Sequence, residues 1–138
     1  MQNEDLSRDY LLRAKGRLKA LDTLLEEKLW ADVVCESDEV VELALAALLR
    51  HHKIEIPRVH DVSGVLEANQ ERFSSDLKSK LPELVDISQE LRRDRELSFY
   101  GSEDVTPHEF YKEKHAKKAI GQAKRVVAVC LKETGYDK

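Results

Sequence analysis

Residues 40–49 read V-V-E-L-A-L-A-A-L-L. One carboxylate stands among nine apolar side chains. A helix that is apolar nearly all round cannot lie on a protein surface; it belongs at the centre of a bundle or in an oligomer interface. This stretch therefore sets the rest of the chain the task of covering it.

The flanking sequence supplies helices to do so. Gly is sparse at five and Pro at three, no Asn-Gly or Asp-Gly hairpin turn occurs, and no run alternates like a half-buried strand. A first helix is predicted over roughly residues 4–28. Its Leu11, Ala14, Leu18, Leu21 and Leu25 form one apolar seam, with Arg13, Arg17, Lys19 and Glu26 outside it. The central helix runs from about Leu29 to His51. In the connector H-K-I-E-I-P-R-V-H-D, Pro57 disfavours helix at Ile56, and Asp61 suits the N-cap of a short helix carrying Val62, Val65 and Leu66.

The stretch S-S-D-L-K-S-K reads as a polar loop, and Pro82 as the first residue of a fourth helix. Leu84, Ile87 and Leu91 mark the inner stripe of that helix, and Gly101 its C-terminal cap. T-P-H-E at 106–109 is a capping box, from which the last helix is expected to run to about Glu133. Its seam is Ala116, Ala119, Ala123, Val127 and Cys130, and Gly121 is expected to allow a close helix contact. With short loops and no repeat or linker, residues 1–138 are read as a single all-α domain, an up-and-down antiparallel bundle of four to five helices.

The net charge of −4 gives no global basic field, so any nucleic-acid contact has to be a local patch. Charged residues at 36% fit long solvated helix faces. Cys35 and Cys130 lie in apolar helical stretches and read as buried free thiols, which points to a cytoplasmic setting. The N-terminus has no apolar leader region, and no stretch is long and apolar enough to span a membrane.

One segment stands out chemically. Residues 91–101 are L-R-R-D-R-E-L-S-F-Y-G. Arg95 lies four residues after Leu91, on or beside the inner stripe, where its charge requires a carboxylate, a phosphate or an interface partner. A structural salt bridge to Glu42 or Glu67 would meet that need without any ligand. Arg92 is four residues before Glu96 and is expected to pair with it on the surface, while Arg93 is read as solvated. Phe99 and Tyr100 are read as core or cap residues in preference to base-stacking platforms.

The histidines offer less. His51 and His52 are adjacent and are expected to point apart on a helix, and His60 and Asp61 sit at a helix start. No metal site and no cofactor are expected. The chain carries no G-x-S-x-G, H-E-x-x-H, P-loop or G-x-G-x-x-G.

The order of features nonetheless resembles a known family. An apolar second helix carrying E-x-x-x-L-A-L-A-A-L-L, a loop ending V-H-D-V, an arginine-rich helix ending R-E-L-S-F-Y-G and an Ala-rich last helix follow one another over about residues 5–134. This is similar to the HEPN domain family, and most to its small stand-alone prokaryotic members. The resemblance implies an antiparallel helical bundle, a homodimer, and a minimal nucleotidyltransferase as protein partner in a toxin–antitoxin-type pair. Active members are metal-independent ribonucleases whose motif is an Arg, a polar residue beside it, and a His after four to six residues.

Arg95 takes the arginine position and Glu96 the polar one, but Tyr100 stands where the spacing calls for the histidine. Histidine titrates near neutral pH and suits acid–base work on a ribose hydroxyl. Tyrosine, with a pKa of about 10, donates a hydrogen bond or stacks on a base far more readily than it accepts a proton. The expectation is therefore a non-catalytic module binding a nucleotide, an RNA or a partner protein. Its binding residues would be Arg92, Arg95, Glu96, Tyr100 and His60. The alternatives are a degenerate ribonuclease using Arg95 and Tyr100, with His60 as a further stand-in for the base, and a bundle whose arginine cluster only knits helices together.

Overall fold

The computed structural model describes residues 2–56 and 62–136. Its regular elements are α1 (Gln2–Glu26), α2 (Trp30–His51), α3 (Val62–Ala68), a 3-10 turn (Gln70–Arg72), α4 (Ser75–Tyr100), α5 (Pro107–Phe110) and α6 (Glu113–Thr134), with no strand among the described residues. The chain is an all-helical bundle, as its periodicity predicts. The expected helices are all present, and the one-turn α5 is added to them. The proposed N-cap Asp61, together with Pro57 and His60, lies outside the described residues.

α2 occupies the centre. Val40, Val41, Ala44, Leu45, Ala47, Leu48 and Leu49 are all fully buried, each large one contributing about 1.5–3 kcal/mol over its exposed state. Leu11, Ala14 and Leu21 of α1, Leu84 and Leu91 of α4, and Ala116, Ala123 and Cys130 of α6 close over it.

Polar pairs fix the direction of each helix. Ser7 donates to the Ala47 carbonyl at 2.6 Å and Arg17 to Glu36 at 3.1 Å, so α1 and α2 run antiparallel. Asp76 meets Lys132, Glu83 meets Arg125 and Glu90 meets Lys118, which makes α4 antiparallel to α6. The end of α4 meets the first half of α2 through Arg95, and the ends of α2 and α6 meet through His52 and Glu133.

Three sequence expectations are corrected. Pro82 does not open α4. The helix starts a full two turns earlier, where the Ser74 hydroxyl accepts from the Leu77 amide, and Pro82 lies inside it. An interior proline costs roughly 3 kcal/mol. Burial of Leu77 and Leu81, both nearly inaccessible and in register with Leu84 and Leu91, offsets that cost.

Thr106 is an N-cap but only half of the expected capping box: its hydroxyl accepts from the Glu109 amide at 3.3 Å and donates to the Glu109 carboxylate at 2.7 Å, and the helix it opens is only α5. Tyr111 then turns extended (φ −82, ψ 135), buries its ring and donates its hydroxyl to the Asp94 carbonyl at 3.2 Å. A continuous helix could not place that ring in the core. The long helix therefore restarts at Glu113, where His115 Nδ1 accepts from the Lys112 amide. Gly121, finally, faces open space and makes no close helix contact.

Candidate functional site

The last two turns of α4 build the site. Leu91 and Ser98 point into the core. The flank beside them therefore carries Arg92, Arg95, Glu96, Phe99 and Tyr100 at successive turns. With Glu42 of α2 these residues line a cavity of about 500 Å³. Gly101 ends the helix at φ +78, donating its amide to Leu97, and a Cβ there would lie 2.7 Å from the Pro107 ring and 2.8 Å from the Val105 carbonyl. Only glycine lets the chain turn this closely, and the turn leaves Tyr100 at the rim.

Arg95 is spoken for within its own chain. Its guanidinium meets Glu42 at 3.1 Å, Asp38 at 3.5 Å, and Glu39. Of the two partners considered from sequence, Glu42 is confirmed, while Glu67 is exposed on α3. Asp38 is the unusual member. It is 1% exposed, and its Oδ1 is buried without a hydrogen-bond partner. Burial pushes its carboxyl up to about 7, and the neighbouring Glu42 adds to the rise; Arg95 opposes it without cancelling it. One guanidinium thus serves three carboxylates, and the cluster can shed part of its repulsion by holding a proton on Asp38.

Arg92 behaves differently. It does not form the expected surface pair with Glu96, and among the described residues no carboxylate lies within ion-pair distance of it. Its charge still reaches Asp38 across the helix interface. Arg93 is exposed, as expected. The reading of Phe99 and Tyr100 as core or cap residues is overturned. They are 60% and 76% exposed, the two most exposed large apolar side chains of the described residues, with rings 4.6 Å apart edge to face. The apolar stripe of α4 has already been completed by Leu91 and Ser98, so residues one turn further round fall outside it.

No described histidine lines the cavity. His51 and His52 sit at the end of α2, about 15 Å along the axis from Glu42 at 1.5 Å per residue. They do not point apart: their rings are 5.0 Å from each other, because His52 lies past the last helical turn. His51 meets the Tyr136 hydroxyl at 3.1 Å and His52 meets Glu133 at 3.0 Å, which are architectural contacts between α2 and the end of α6. His60 lies outside the described residues.

Both thiols are free and buried, and burial raises the Cys35 pKa and pushes Cys130 up to about 12, which disfavours the thiolate at both. Among the described residues no group of three His, Cys, Asp or Glu side chains is arranged to hold a metal ion, and no helix is long and apolar enough to cross a membrane.

The arrangement of a central apolar helix flanked by α1, α4 and α6, with an arginine-rich end of α4, agrees with a family model. The HEPN domain model matches residues 7–134. The chain belongs to the HEPN domain family. No curated protein and no solved structure matches it significantly. Family membership places this HEPN chain among helical modules with nucleotide- or RNA-related roles.

Asp38 and Glu39 are the site residues that sequence reasoning missed. Their signal was present: E-S-D-E at 36–39 puts acids into a helix otherwise apolar nearly all round. An acid in such a helix must find a cation, and Arg95 of this HEPN chain was already in need of an anion.

Proposed function

We propose that this chain is a non-catalytic HEPN module that binds a nucleotide or single-stranded RNA at the end of α4. The observation that carries the reading is the pairing of Arg92, which meets no carboxylate among the described residues, with two exposed aromatic rings in one cavity. Arg92 supplies the phosphate contact. Phe99 and Tyr100 offer faces on which a base stacks, an interaction of about 1–3 kcal/mol per base. Arg95 takes the role of a positioning residue: held by three carboxylates, it fixes α4 against α2 and keeps Arg92 and Glu96 on the cavity wall. A homodimer and a minimal nucleotidyltransferase partner complete the proposal, on the strength of the family resemblance.

The triple pairing of Arg95 favours a second reading, a bundle in which the cluster only joins helices and the aromatic rim docks a protein. The degenerate ribonuclease, with Arg95 and Tyr100 as its catalytic pair, is the third.

Labelled single-stranded RNA and mononucleotides, titrated in EDTA into wild type, Arg92→Ala, Tyr100→Ala, Arg95→Ala and Tyr100→Phe, separate these readings. The binding reading expects intact RNA, and affinity reduced about tenfold in Arg92→Ala and in Tyr100→Ala. No binding by the wild type overturns it in favour of the interaction bundle. Cleavage by the wild type that Arg95→Ala and Tyr100→Phe both lose establishes the ribonuclease.

A further inference from the structure

We infer that Glu96 is a specificity-determining residue and that the cavity at the end of α4 selects guanine among the bases. The inference rests on the nucleotide-binding reading and adds the identity of the base.

The cavity is not uniformly cationic. Its two arginines stand among carboxylates. Arg95 is engaged by Asp38, Glu39 and Glu42, so among the described residues Arg92 is the wall's remaining cation. Glu42 and Glu96 also line the wall. A phosphate can approach Arg92, but the part of the ligand that meets Glu96 has to bring hydrogen-bond donors, because an ionised carboxylate only accepts.

Glu96 is placed to receive them. It is exposed, it stands one turn before Phe99 and Tyr100, and it leaves unused the pairing with Arg92 that its spacing permits. The pattern along α4 is therefore cation, carboxylate, aromatic platform, each about one turn of 5.4 Å from the next. A base stacked on the aromatic rim brings its edge to the carboxylate.

The four bases differ in what that edge offers. Guanine presents N1–H and the 2-amino group side by side, two donors that match the two oxygens of one carboxylate. Adenine and cytosine present one amino donor next to an acceptor nitrogen. Uracil presents one N–H between two carbonyls, so a carboxylate that accepts from it faces at least one repelling oxygen. Base edges splayed out in this way are what proteins read in single-stranded RNA. Hydrogen bonds to an ionised group are about twice as strong as neutral ones, and one additional such bond corresponds to a preference of about tenfold or more.

The test is a two-dimensional NMR titration of the ¹⁵N-labelled protein with uridine pentanucleotides carrying G, A, C, U or inosine at the middle position. Inosine keeps N1–H and lacks the 2-amino group. The expected order is G tightest, by about tenfold over U, with inosine between them. Glu96→Gln should abolish the preference for G over U, by weakening G and relieving the repulsion of U, while an unchanged thermal melt shows that the fold is kept.

Equal affinity for all five oligonucleotides overturns the inference and leaves the binding reading standing. So does a G preference that Glu96→Gln retains. Absence of binding to every oligonucleotide overturns the binding reading itself, and the base preference with it.

Discussion

Asp38→Asn should remove a pH-dependent weakness from this fold. The folded protein holds the Asp38 proton up to about pH 7, whereas the unfolded chain releases it near the ordinary 3.8. Raising the pH between those values strips the proton from the unfolded chain first, so the wild type loses stability over that window and levels off above it. The groups that set this value are Glu42 and Glu39 on the same helix and Arg95 and Arg92 across from it on α4. At about 1.36 kcal/mol per pH unit, the full window is worth roughly 4 kcal/mol, of which somewhat more than half falls between pH 5 and pH 8. Asparagine keeps the shape of the neutral acid and cannot ionise. Urea unfolding of both proteins at pH 5, 6, 7 and 8 should show the variant already ahead at pH 5, by about 1–2 kcal/mol, and its lead grown to roughly 4 kcal/mol at pH 8. The comparison with wild type cancels other titrating groups such as His51, whose pKa burial lowers and His52 lowers further. A difference that stays constant across the four pH values refutes the reasoning and means that Arg95 compensates the buried carboxylate fully.

Arg95→Ala removes the cation from a cluster of three acids and should destabilise by about 1–3 kcal/mol in urea unfolding; the side chain is 43% exposed, which discounts the 3–5 kcal/mol of a fully buried pair. Combining it with Asp38→Asn should recover part of that loss, and strict additivity of the two would argue against their contact. Pro82→Ala restores an amide inside an exposed stretch of α4 and should stabilise by about 1–3 kcal/mol, read as a rise in the urea midpoint. Gly101→Ala forces a Cβ to within 2.7 Å of Pro107 at a φ of +78 and should lower stability by more than about 1 kcal/mol, with the largest NMR shift changes at the end of α4 and in α5.

The bundle was legible because its signals were redundant. The seam of α1, the stripe of α4 and the alanine face of α6 each repeat at helical spacing over several turns, and the apolar stretch of α2 could occupy only the centre. What failed was punctuation. Pro82 carried a sound local preference for a helix start, but Ser74 two turns earlier offered a better cap, and the two leucines between them were needed in the core. The N-cap at Thr106 was recognised correctly and still gave the wrong helix, because the signal that ends α5 is the burial of the Tyr111 ring, which belongs to tertiary packing. The site was half legible for a related reason. Spacing placed Arg95 beside the inner stripe and so demanded an anion, but nothing local says which of three acids on another helix supplies it.

That division of labour between the arginines decides how the site should be probed. Arg95 is the residue that the family's motif singles out, and its loss would reduce binding whether or not it touches a ligand, since removing it leaves Asp38, Glu39 and Glu42 facing one another and loosens the end of α4. A binding defect in Arg95→Ala is thus evidence about the wall before it is evidence about the ligand. Among the described residues Arg92 has no such partner to abandon. Its substitution leaves the α2–α4 contact intact, so a loss of affinity in Arg92→Ala without a change in the unfolding midpoint reports on the ligand alone. If instead Arg92→Ala binds normally and only Arg95→Ala fails, the phosphate contact lies with Arg95 after all, and a ligand must then displace at least one of the carboxylates that hold it. That displacement would free Asp38 of its nearest cation and raise its affinity for a proton. RNA affinity would then strengthen as the pH falls through 7, a dependence that Asp38→Asn would abolish.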